Sequence, residues 1–127
     1  INGIEVVSFS SSVDSRLDVL EAEFNAEAPA STTVTGANQT IRTVAKSTYD
    51  AMYFDYVVKD GTDMRAGTVI AVWDANDNVE FFDNSTQDLG NTTDAGLEVI
   101  IDGTNVVLRT DSGTTDTWTI KTTPRGL

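Results

Sequence analysis

Over the first 24 positions, apolar residues recur at Val6, Phe9, Val13, Leu17, Leu20 and Phe24, with gaps of three, four, four, three and four. That spacing marks one face of a helix. The two consecutive fours give the first part an eleven-residue repeat and the second a heptad. Ser10, Ser11, Asp14, Ser15, Asp18 and Glu21 fill the other faces. If Leu17 and Leu20 occupy a and d, Arg16 is a g position and Glu21 the following e position. In a parallel coiled coil, that places a guanidinium of one chain over the seam beside a carboxylate of its neighbour. The pattern therefore predicts a parallel coiled-coil oligomerisation stem formed by Val6, Phe9, Val13, Arg16, Leu17, Leu20, Glu21 and Phe24, the residues assigned to trimerisation by the resemblance given below. An isolated helix of this length is marginal in water, and the Asp14–Asp18 pair repels along one face, so the stability must come from partner chains. The alternative is an amphipathic helix packed on its own domain.

The texture changes after Phe24. Residues 25–40 are rich in Ala, Thr, Ser, Gly and Asn, with Pro29 to stop the helix, and read as a linker or extended lead-in. From Ile41 the chain consists of short β-type runs separated by turn residues. They are Ile41–Ala45, Tyr49–Val58, Arg65–Asp74, Val79–Phe82, Leu97–Ile101, Val106–Arg109 and Thr117–Thr122. Met52, Phe54, Tyr56 and Val58 share one face of the second run. Thr68–Trp73 is apolar throughout and suits a strand buried on both faces. Asp102-Gly103 is the clearest hairpin signal. About seven strands at short spacing predict a mainly β chain: an antiparallel, jelly-roll-like β-sandwich over 41–127, preceded by a helical stem over 1–24 and a linker over 25–40. Its expected core includes Met52, Phe54, Val69, Val72, Trp73, Val99, Ile101, Val107, Trp118 and Ile120.

Composition narrows the function. The 127 residues carry 20 acidic and 8 basic side chains, a formal charge of −12, which argues against binding nucleic acid through its phosphates or an anionic membrane surface. Neither a membrane-spanning apolar run nor a secretory signal pattern is present. The first residue is Ile1 rather than Met, so a fragment or processed product is expected. Without cysteine there are no disulfides or thiolate metal sites; without histidine the common proton shuttle and metal ligand are missing. No catalytic, cofactor-binding or metal-binding residue is expected, and the chain does not read as an enzyme.

Three local patterns invite a sharper reading. Asp74-Ala75-Asn76-Asp77-Asn78 resembles the start of a calcium loop, but the required Gly and Glu are replaced by Val79 and Ser85, so a tight hairpin turn is expected. Asp83, Asp88, Asp94, Asp111 and Asp116 fall in loops, where two of them could act as a glycosidase pair; loop aspartates are more commonly turn-formers. Tyr53, Tyr56, Trp73, Phe81, Phe82 and Trp118 could stack on sugar, but most should fill the core, with one of Phe81 and Phe82 facing outward.

Tyr53–Gly61, Met64–Val69 and Trp118–Lys121 followed by Arg125 resemble the small β domains of tailed-bacteriophage fibre and appendage proteins. Asp14–Glu21 is similar to their trimeric coiled-coil stems. The resemblance implies a non-enzymatic virion component, a homotrimer that projects from or attaches to the particle and contacts other virion proteins. The alternative it carries is a receptor-binding module that recognises a host surface glycan through the loops at Asn84–Asp94 and Asp111–Asp116. A glycan-cleaving enzyme ranks below both.

Overall fold

A computed structural model describes residues 29–127, and the stem residues named above lie outside it. Eight strands follow in order: β1 Ala30–Val34, β2 Thr40–Ala45, β3 Ala51–Asp60, β4 Asp63–Trp73, β5 Val79–Ser85, β6 Leu97–Asp102, β7 Asn105–Thr110 and β8 Trp118–Gly126. They form two antiparallel sheets, one ordered β1-β8-β3-β4-β5 and one ordered β2-β7-β6. The described chain is mainly β. Gly61 and Gly103 open the two-residue β3–β4 and β6–β7 connections with φ of 60°, a conformation in which a Cβ would be strained.

The sheets enclose one core. The larger supplies Val34, Met52, Phe54, Tyr56, Val58, Val69, Ala71, Trp118 and Ile120; the smaller contributes Ile41, Leu97, Val99, Val106 and Leu108. Strict alternation in β3 puts Met52, Phe54, Tyr56 and Val58 inside, as their period of two predicts.

Several expectations need correction. Val72 is 53% exposed and Ile70 37% exposed, because β4 alternates from Val69 to Val72, as β3 does, instead of being buried on both faces. Trp73 and Ile101 are only partly buried. Val107, by contrast, is buried as expected, although it lies outside the main cluster that holds its neighbours Val106 and Leu108. Ala30–Val34, inside the stretch read as a linker, is a strand paired from Ala30↔Thr122 to Val34↔Trp118, so the β domain starts before Ile41. β8 also runs past Thr122 to Gly126.

Candidate functional site

Strand direction sorts the connections into two groups. The β1–β2 turn, the β3–β4 turn and the long β5–β6 and β7–β8 loops share one end. The β2–β3, β4–β5 and β6–β7 turns share the other, with Leu127, whose N–H bonds the carbonyl of Ala51. The first group contains both segments expected to recognise a glycan, and β1 runs toward it.

Side-chain bonds fix the backbone of these loops. Arg65, with its side chain only 11% exposed, reaches across from β4. Its Nη1 donates to the carbonyl and hydroxyl oxygens of Thr92, at 3.0 and 2.8 Å, and its Nη2 donates to the carbonyl of Ala95 at 2.7 Å. Its Nε donates to the Tyr56 hydroxyl, which donates in turn to Asp83 at 2.6 Å. Burial, with Asp83 as acceptor, pushes the Tyr56 phenol up to about 12, so it remains a donor at neutral pH. Asp83 lies in β5, not in a loop as expected.

Asp94 ties the two loops together. It accepts the Trp118 indole N–H at 2.9 Å, the Asp116 N–H at 2.8 Å, and both the N–H and hydroxyl of Thr115. The indole bond first, then the Asp116 amide, hold its carboxyl down at about 2. Asp88 accepts from Thr92, whose bonds lower its pKa, and Asp111 caps Gly113 and Thr114. Asp63 accepts from the Asn91 N–H. Loop aspartates therefore act largely as acceptors for the backbone, as their residue type suggests. Between the loops lies a polar cleft of about 510 Å³ lined by Asp60, Asp63, Asn91, Asp94, Asp116 and Trp118 among others. It offers carboxylates as acceptors for hydroxyl-rich ligands and repels anions.

A cleft of about 480 Å³ opens at the other end, beside Trp73, Tyr49 and Asp50. The Trp73 indole is fixed by the Lys46 carbonyl at 3.1 Å, and Lys46 Nζ pairs with Asp77 across the turns. Here Asp74 accepts from the Asn76 and Asn78 N–H groups and from the Asn78 amide, which makes Asp74–Asn78 a tight turn. No group of three acidic side chains positioned to hold a metal ion occurs among the described residues.

The aromatic residues considered for sugar stacking do not assemble into a platform. Tyr56 and Trp118 are core residues. Phe81 pairs with Ala71 on the inward face of edge strand β5, yet it is 42% exposed; Phe82 pairs with Ile70 on the outward face. Register then aligns Tyr53, Ile70 and Phe82 across β3, β4 and β5, with Val72 next to Ile70 on the same face. Arg125 borders this row, 5.1 Å above the Tyr53 ring and bonded to Asp55 at 2.7 and 3.1 Å. The trimerisation residues Val6, Phe9, Val13, Arg16, Leu17, Leu20, Glu21 and Phe24 lie outside the described residues. No protein-family model matches this chain, and no curated protein matches it.

Proposed function

We propose that this chain is a structural domain of a trimeric phage appendage, a virion fibre component in which a short parallel coiled-coil stem carries three jelly-roll-like β-sandwiches. The observation that carries it is the outward apolar row Tyr53–Ile70–Phe82 with Val72. Exposed apolar side chains gathered on one sheet face suit burial against another copy, and the stem pattern independently calls for partner chains. The virion assignment itself rests on the resemblance of Tyr53–Gly61, Met64–Val69 and Trp118–Lys121. Sedimentation equilibrium of the whole chain tests the assembly. A trimer is expected at micromolar concentration, reduced to monomer by Leu17→Asp, which places a charge in a desolvated seam; a wild-type monomer would remove the basis of the proposal. Detection of the chain by mass spectrometry in gradient-purified particles checks the location.

Host-glycan recognition through Asn84–Asp94 and Asp111–Asp116 is the second reading. It is favoured by the placement of both loops at the end toward which β1 runs, and by their fixed backbone, which lowers the entropy cost of binding. Threefold presentation would add avidity without new contacts. Saturable binding of the trimer to a glycan array, abolished by substitutions at Asn91 and Asp116, is the expected result in that case.

A further inference from the structure

Three connections converge around one indole at the end of the sandwich that carries Leu127. Trp73 closes β4 and follows Val69 and Ala71 on the inward face, so its ring packs against the core yet stays only partly buried. The cleft of about 480 Å³ beside it is walled by Lys46, Tyr49 and Asp50 from the β2–β3 connection, by Asp74 from the β4–β5 turn and by Thr104 from the β6–β7 turn. Small-molecule sites ordinarily span about 300–1,000 Å³. Each wall is held by the fold. The Trp73 Nε1–H is committed to the Lys46 carbonyl, which leaves the ring itself to meet an occupant. The Lys46 N–H donates to the Thr104 carbonyl at 2.9 Å, and the Asp50 N–H to the Leu127 carbonyl at 2.7 Å. Tyr49 rests on Gly126, where any added Cβ would collide with its ring, and it remains 38% exposed. Asp74 is engaged by Asn76 and Asn78, and the bond from the Asn78 amide, ahead of the others, holds its carboxyl below the usual carboxylate range. The Asp50 carboxylate has no bonding partner among the described residues.

We infer that this cleft is a binding site for one neutral pyranose ring. The chemistry of its walls selects that class. An aromatic face carries negative charge density, so Trp73 and Tyr49 receive the C–H face of a sugar while its hydroxyls point to the rim. A carboxylate and an ammonium in one cleft suit groups that both donate and accept, as hydroxyls do. Asp50 accepts from one hydroxyl, and Lys46 Nζ, paired with Asp77, keeps further hydrogens to donate to another. An anion would be repelled by Asp50 and Asp74. A quaternary cation, the other ligand that aromatic walls attract, would share the cleft with Lys46 and leave its donors unused. A neutral ring meets neither difficulty, and a preformed cleft loses little entropy when it is filled. The site lies at the opposite end from Asn91 and Asp116, so it is separate from the recognition loops and needs no trimer.

The chain has two tryptophans, Trp73 beside this cleft and Trp118 at the loop end, where it bonds Asp94. Their indole N–H signals in a nitrogen–proton correlation spectrum of the full chain therefore report the two ends separately, and Trp73→Phe, which removes one signal, assigns them. The probes are the methyl pyranosides of glucose, galactose, mannose and N-acetylglucosamine, with tetramethylammonium as the cationic control. At least one pyranoside is expected to move the Trp73 signal saturably, with a roughly millimolar Kd, and to leave Trp118 unmoved. Asp50→Ala and Tyr49→Ala should each weaken that binding at least about tenfold, with the rest of the spectrum unchanged. Asp50 is exposed, so its variant tests the site without disturbing the core. No saturable shift at Trp73 with any of the pyranosides overturns the inference, as does a shift that survives both substitutions. Movement of Trp118 alone would put the sugar in the loops at the other end, and saturation by tetramethylammonium without any pyranoside would make this a cation site. Either result also overturns it.

Discussion

Asp94 shows how much one carboxylate organises in this domain. Its four accepted bonds join the β5–β6 loop to the β7–β8 loop and to the core residue Trp118. Because folding lowers its pKa to about 2, the native state binds this proton less readily than the unfolded chain. The stability it supplies is complete above the ordinary carboxylate range and is lost as pH falls through that range toward 2. Asp94→Asn should therefore lower the urea midpoint at pH 7 and narrow the gap to wild type at pH 2. Midpoints measured across that interval check the sign: a constant gap would mean that the charge is not what these donors recognise. Arg65 makes a comparable bridge that the sequence does not advertise, since a single arginine at the start of a strand has no local signature of a reach across to Thr92 and Ala95.

At the level of elements, alternation was legible wherever side chains were large. Met52, Phe54, Tyr56 and Val58 reveal the inward face of β3, and Asp102-Gly103 reveals the β6–β7 hairpin. Thr68–Trp73 misled because β-branched residues are at home on either face of a pleat, so an uninterrupted apolar run does not reveal which face is covered. Met52→Ala is accordingly expected to cost about 2–5 kcal/mol, while Val72→Ala should stay within about 0.5 kcal/mol in the monomeric background; equal costs in denaturant unfolding would contradict the observed strand phase. β1 has no strong pattern because Ala30-Ser31-Thr32-Thr33-Val34 alternates between small and polar side chains, and an edge strand needs little more. The aspartate-rich loops were legible as turns, but not as one network, since Asp63–Asn91 and Asp94–Trp118 are long-range bonds.

On the scale of the whole molecule, the outward row Tyr53–Ile70–Phe82 is the feature that local patterning hides, because it exists only once three strands are in register. If it packs between copies, Ile70→Glu with Phe82→Glu should leave the β domain folded and its unfolding midpoint nearly unchanged, yet weaken the trimer by at least about tenfold at low salt. Circular dichroism alongside sedimentation separates the two effects. A trimer indifferent to both charges would mean that assembly resides in the stem alone.

The last strand ends beside the first residues of β3, where Leu127 exchanges hydrogen bonds with Ala51, and β1 is entered from that same side. The start of β1 and the end of β8 therefore lie at the same end of the β domain. Polypeptide joined at both points would double back on itself rather than run straight through the domain. The opposite tip carries neither of these two points, and there Asp63 and Asp111 hold the N–H groups of Asn91 and Gly113.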